Sequence, residues 1–247
     1  MSKTIFEQAV IFAGGRGERL RPLTDLIPKP MAPVLHHPFL DYLFKALTDA
    51  GIKRILILAG YRAENIMEYY GHVLSDGTPI YYSVGSENDQ TGRRLLNAYD
   101  LLDDHFLLLY GDNYWRPSLH NMIKNYESLG LPVTTTIFSN KNGTGEYGSE
   151  NNVHFAPNHL VQAYDKSRKS KDLNGVDIGY FLIDRKVIDP WEEGNISFEE
   201  TILTRLVKRG HVGAFVTDEQ YYYITSIESL RKFEEVAKKQ HLAFMNH

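Results

Sequence analysis

Cysteine is absent from all 247 residues, which removes disulfide frameworks and thiolate metal sites at once. A chain without thiols also suits a reducing compartment, so the cytoplasm is its expected location. No stretch approaches the roughly 18 apolar residues of a membrane span, and MSKTIFEQAV at the N-terminus has no apolar core of signal-peptide length. Overall positive charge is lacking too. Lys and Arg number 27 against 31 Asp and Glu, a formal net charge of −4, so a face that tracks nucleic-acid phosphates is not expected. Internal repeats, low-complexity tracts and linkers are missing as well. The chain therefore reads as one domain, a half of about residues 1–138 carrying a smaller lobe of about 139–247.

What is present alternates. QAVIFA (8–13), RILILA (54–59) and HFLLLY (105–110) are continuous apolar runs, as expected of strands covered on both faces. Between them PFLDYLFKALTDAG places Phe39, Leu40, Leu43, Phe44 and Leu47 at helical spacing and stops at Gly51. AENIMEYYG, GRRLLNAYDLL and SLHNMIKNYESLG read as further helices, PIYYSV and PVTTTIF as further strands. The rhythm is that of βαβ units on a mostly parallel sheet. After residue 139 it changes: NNVHFAPNHLVQAYD reads as a hairpin, VDIGYFLID as a buried strand, and SFEETILTRLVKRG and SIESLRKFEEVAKKQ as helices.

Ligands of open α/β sheets bind where strands pass into helices at their carboxyl ends, and two loops there are chemically loaded. AGGRGERLRPLTDLIPKPM (13–31) sets Arg16, Arg19, Arg21 and Lys29 against only Glu18 and Asp25, with Gly14, Gly15 and Gly17 free to bring backbone N–H groups close to an anion. A polyanion is the natural guest. It is neither a P-loop, since G-x-x-x-x-G-K-[ST] is missing, nor a dinucleotide fingerprint, since Leu20 stands where the third glycine is needed. The second loop is YGDNYW, where Asp112 follows a buried strand. His36 and His37 lack a third ligand at plausible spacing and read as loop, and Tyr221–Tyr223 read as strand packing.

The pattern A-G-G-x-G-x-R-L-x-P-L-T-x-x-x-P-K-P-M resembles the signature of sugar-1-phosphate nucleotidylyltransferases. That resemblance implies a Rossmann-like mixed sheet flanked by helices with a sugar-binding lobe, the nucleotide-diphospho-sugar transferase fold. It implies that Arg19 and Lys29 grip nucleotide phosphates, that Asp112 holds Mg²⁺, and that Ala13, Gly14, Gly15, Gly17, Glu87, Thr91 and Gly92 meet the nucleotide. For the sugar 1-phosphate it implies Lys166 at the phosphate, with Glu146, Gly148, Asp177 and Gly179 near the sugar. The partners implied are a nucleoside triphosphate and a sugar 1-phosphate, with neither nucleic acid nor membrane; a homo-oligomer is left open.

Two departures bear on function. Arg93 and Arg94 stand where many members of that family carry Gly and Ala in the turn that reads the base. Tyr223 stands where many carry a second metal-binding Asp, and a phenol with a pKa of about 10 is a poor Mg²⁺ ligand at neutral pH; Asp218 and Glu219 lie close by in sequence. The expected reaction is nucleotidyl transfer to a sugar 1-phosphate with release of pyrophosphate. IPKPMAPV and the short build resemble hexose or heptose 1-phosphate guanylyltransferases and favour GTP. TGRRL resembles the corresponding turn of glucose 1-phosphate cytidylyltransferases and keeps CTP open, with UTP and dTTP beside it. The missing second Asp keeps open a rival of another class, a non-catalytic nucleotide-sugar-binding subunit.

Overall fold

The computed structural model describes residues 5–239. Its centre is a seven-stranded sheet made of β1 (Gln8–Ala13), β2 (Arg54–Ala59), β3 (Ile80–Val84), β4 (His105–Tyr110), β5 (Val133–Phe138), β6 (Val176–Asp184) and β7 (Val212–Thr217). Their spatial order is β7-β5-β6-β4-β1-β2-β3. All neighbours are parallel except β6, which runs antiparallel to both β4 and β5. The sheet is thus mixed and mostly parallel. A strand from beyond residue 139 is inserted between two from before it, so both stretches of the chain share one sheet.

The continuous apolar strands are explained by what covers them. Along β1, Ala9, Ile11 and Ala13 join one core while Val10 and Phe12 join the other, and Ile55/Ile57 and Leu56/Leu58 on β2 divide in the same way. Period-two alternation sends neighbours to opposite faces, and here both faces are dry. Helices α1 (Phe39–Asp49), α2 (Ala63–Tyr70), α4 (Leu119–Leu129) and α6 (Ile227–Lys239) bury their apolar residues in the first core. The second core receives α3 (Thr91–Asn97) and the helical segment that ends in α5 (Thr204–Lys208).

Local chemistry departs from expectation in two helices. The helix expected through Leu102 is α-helical only to Asn97 and tightens into a 3₁₀ turn at Tyr99–Leu101, which delivers Leu102 to the core. Ser197 does cap the next segment, accepting from the Glu200 N–H at 3.2 Å, but the first turns, Phe198–Leu203, are π-helical before α5 begins. The hairpin is present, Val153–Phe155 against Val161–Tyr164. Leu35 and His36, both at positive φ, form a tight turn between Pro33–Val34 and His37–Pro38, so His37 is already in the strand. Tyr222–Tyr223 pair with Asn113–Tyr114, and Tyr221 is buried.

Candidate active site

The carboxyl ends of β1 and β4 are adjacent, with Phe12 opposite Tyr110. Beyond them the Gly111 N–H donates to the Phe12 carbonyl at 2.9 Å, and a Cβ on Gly111 would come within 2.8 Å of that oxygen. Only glycine lets the two loops approach so closely. The loop after β1 then folds back on itself through 3₁₀ turns at Glu18–Leu20, Leu23–Asp25 and Lys29–Met31, pegged to the core by the buried Leu20 and Pro30. Gly17, at φ +64°, has no room for a Cβ, which would lie 2.8 Å from the Cβ of Lys29, and Thr24 Oγ1 donates to its carbonyl at 2.9 Å. That back-folding sets Lys29 Nζ 2.5 Å from Asp112 Oδ2.

A cleft of about 360 Å³ opens at this place. Of the residues expected to meet phosphates, Gly14, Gly15, Gly17 and Lys29 line it, as do Ala13 and Thr91; Asp112 and Lys166 face it as well. Residues 166 and 29, far apart in sequence, therefore open on one space. Arg19 is not among the residues that line it: its side chain is 63% exposed, 3.6 Å from Glu146 and 3.4 Å from the Tyr147 hydroxyl. Glu146 is largely buried, and its Oε1 has no hydrogen-bond partner. Glu87 pairs outside with Arg16 at 2.5 Å. Gly92 is packed against the next segment, where a Cβ would fall 2.7 Å from the Ile196 carbonyl. Gly148, at φ +62°, closes the turn of Gly145–Gly148.

Asp177 and Gly179 lie behind the cleft wall. At Gly179, φ +77°, β6 breaks register, and a Cβ would meet the Tyr110 ring at 2.2 Å. Tyr110 itself lines the cleft. The Asp177 carboxylate accepts from Thr135 Oγ1 at 2.8 Å and from the Gly179 N–H at 2.9 Å, yet burial pushes its pKa up to about 7.

Two cleft residues, Glu199 and Tyr110, are not singled out in the sequence, and Arg94 stands out there only as a departure in the turn that reads the base. Glu199 Oε2 accepts from Thr91 Oγ1 and from Ser197 Oγ, both at 2.8 Å. Burial would raise its pKa, but the hydrogen bonds from Tyr110, its own N–H, Ser197 and Thr91 outweigh that and hold it below the usual carboxylate value. The Tyr110 hydroxyl is buried against Glu199, and burial pushes its pKa well up. Arg94, 4% exposed, lies beneath the glycine loop. Spacing alone does not mark Glu199, which sits in an ordinary helix start, and nothing local shows that Arg94 is buried.

A nucleotidyl transferase family model matches residues 8–222. The chain belongs to the nucleotidyl transferase family. A probable glucose-1-phosphate cytidylyltransferase of Bacillus subtilis is 28% identical over 253 residues, 94% of this chain and 95% of that protein. The D-glycero-alpha-D-manno-heptose 1-phosphate guanylyltransferase of Aneurinibacillus thermoaerophilus is 26% identical over 231 residues, 92% of this chain and 97% of that one. Among solved structures, HddC from Yersinia pseudotuberculosis complexed with GMP-PN superposes with a TM-score of 0.77 at 24% identity, covering 94% of this chain and 99% of that one. At that identity the likeness speaks for the fold, which is that of the nucleotide-diphospho-sugar transferases.

For this nucleotidyltransferase the donor set for a metal is sparse. Among the described residues no group of three His, Cys, Asp or Glu could hold an ion. Tyr223 pairs by its backbone with Asn113, and its hydroxyl donates to the Glu146 carbonyl at 3.3 Å. Asp218 and Glu219 are both exposed, and Asp218 pairs with Lys141 at 3.0 Å. Asp112 is thus the acidic side chain beside Lys29 in the cleft, and one carboxylate fits an ion that completes its octahedron with phosphate oxygens and water, as Mg²⁺ does. No helix among the described residues is long and apolar enough to cross a membrane.

Proposed function

We propose that this nucleotidyltransferase joins a nucleoside monophosphate to a sugar 1-phosphate, with GTP as the nucleotide and a mannose- or heptose-type sugar as acceptor. The observation that carries this is the convergence of Gly14, Gly15, Gly17, Lys29, Asp112 and Lys166 on one cleft. The glycine backbone takes the triphosphate. An oxygen of the sugar phosphate forms a bond to the α-phosphorus in line as the bond to the β-phosphate oxygen breaks, and pyrophosphate leaves. The acceptor oxygen is already anionic, so no general base is needed, and catalysis rests on positioning and charge. Lys29 stabilises charge at the reacting phosphorus, Arg19 reaches out to the polyphosphate, and Lys166 orients the acceptor phosphate. Asp112 would hold Mg²⁺ together with the nucleotide, and the ion would supply further neutralisation of the leaving group.

The guanine preference rests on IPKPMAPV and on the heptose 1-phosphate guanylyltransferase that covers nearly the whole chain. A second reading, CTP, is favoured by TGRRL and by the cytidylyltransferase relative. The test is a matrix assay of GTP, CTP, UTP, dTTP and ATP against a panel of sugar 1-phosphates with Mg²⁺, read as released pyrophosphate. Release with GTP and a manno-configured acceptor is expected, and Asp112→Asn slows it by about 10²–10³. Release with CTP alone selects the second reading. Nucleotide binding with no release in any combination overturns both and leaves a non-catalytic binder.

A further inference from the structure

The Arg94 side chain is almost fully buried at the floor of the cleft, yet makes no ion pair among the described residues. Its guanidinium spends its hydrogen bonds on main-chain carbonyls. Nη1 donates to Ala59 O at 2.8 Å, and Nη2 to Gly14 O and Ser86 O, both at 2.9 Å. These carbonyls belong to the last residue of β2 and to the segments that follow β1 and β3, so one planar fork ties three strand ends together. The space is reserved for it: a Cβ on either Gly14 or Gly60 would lie 2.2 Å from the guanidinium. Asp89, the nearest acidic influence, has its carboxylate taken up by the Ser86 N–H at 2.9 Å and by Asn97.

We propose that Arg94 is the positioning residue for polyphosphate: by drawing the Gly14 carbonyl inward it sets the peptide orientation of the glycine loop, and its buried charge is completed by the anion bound there. A trans peptide is planar, so a carbonyl turned toward the guanidinium sends the next N–H, that of Gly15, the opposite way. Tyr61 reinforces the setting, its N–H donating to the same Gly14 oxygen at 3.1 Å. From the outer side Arg16 ties the loop to Glu87 at 2.5 Å, so the loop is gripped from both sides and meets an anion already shaped. A lysine cannot replace the fork, because an ammonium lacks the planar spread of donors that reaches three carbonyls at once.

This inference rests on the nucleotidyl-transfer reading, and the probe separates the two. By calorimetry, Arg94→Ala binds inorganic tripolyphosphate about tenfold or more weakly than the wild type, the expected effect of losing a charged donor set. In steady-state kinetics its KM for the nucleotide rises by a similar factor while its KM for the sugar phosphate stays within about threefold. Guanidinium ion at sub-denaturing concentration restores nucleotide KM, and Arg94→Lys keeps the defect. Equal tripolyphosphate affinity in wild type and Arg94→Ala overturns the proposal, as do parallel rises of both KM values without guanidinium rescue. If the alanine variant does not fold, wild-type affinity in Arg94→Lys overturns it. If the wild type turns over no nucleotide and sugar pair, the catalytic reading fails alone, because the tripolyphosphate comparison needs no turnover.

Discussion

The Tyr223 hydroxyl donates to the main-chain carbonyl of Glu146 at 3.3 Å, and the same residue pairs by its backbone with Asn113, next to Asp112. Tyr223 therefore stands in the strand pair beside the metal-binding candidate while its phenol is turned to a structural partner. Its pKa is raised, first by burial and then by Glu146, so at neutral pH it remains a neutral donor. Tyr223→Phe removes one hydrogen bond, worth about 0.5–1.5 kcal/mol. Turnover and the Mg²⁺ concentration at half-maximal rate are expected to stay within about threefold of wild type. A large rise in the Mg²⁺ requirement would mean that the phenol serves the metal after all.

Lys29 and Asp112 form one unit, their side chains only 13% and 28% exposed. Lys29→Met leaves the Asp112 charge without its partner and, in the proposed reaction, removes a cation from the reacting phosphorus. A loss of about 10²–10³ in kcat is expected, the magnitude seen when one preorganised electrostatic contact is deleted. Asp112→Asn falls in the same range. Because the two act together, the double variant is expected to be little worse than the poorer single one. Strictly multiplicative losses in a double-mutant cycle would show that they work independently.

The glycine loop and Asp112 were legible in sequence because their chemistry is local: three glycines, a run of basic residues and a strand ending in Gly-Asp are contiguous. The strands were legible because burial on both faces writes an unbroken apolar run, as in RILILA. What escaped depends on contacts between distant segments. Arg94 stands out in GRRLLN only as a departure in the turn that reads the base, and only the approach of the carboxyl ends of β1, β2 and β3 makes it a buried hub. Glu199 is a good first-turn acid by local rules, and its role in the cleft comes from Thr91, 108 positions away. Within β7, Gly213 leaves room for Leu129, so packing rather than pattern explains that residue. The exposure of Arg19 likewise depends on the 3₁₀ turn at Glu18–Leu20 that carries it.

Gly179 combines a positive φ with the closest contact at the rear of the site, so both backbone and space forbid a side chain. In Gly179→Ala the new methyl must displace the Tyr110 ring that forms the cleft wall. A destabilisation of about 1–3 kcal/mol is expected from left-handed strain and overpacking together, measured as a lower urea midpoint. The displaced ring is also expected to raise KM for the sugar phosphate more than for the nucleotide. Unchanged stability would show that β6 can relax at this bulge.

Asp177 gives stability a pH dependence whose sign can be worked out. Burial raises its folded-state pKa from an ordinary 3.8 to about 7, against the opposing hydrogen bonds from Gly179 and Thr135. Between those two values the folded state holds a proton that the unfolded chain releases. Folding is therefore favoured by protons, and this group's contribution declines as pH rises, with its full penalty in place above about pH 7. Glu199, held below its usual value, has the opposite sign, and its contribution is lost only in acid. Asp177→Asn keeps an acceptor for Thr135 or Gly179 but cannot ionise. The difference in unfolding free energy, variant minus wild type, is expected to become more positive from about pH 5 to about pH 8, followed by urea denaturation. Parallel curves for the two proteins across that range would show that Asp177 titrates at an ordinary carboxylate pKa in the folded chain.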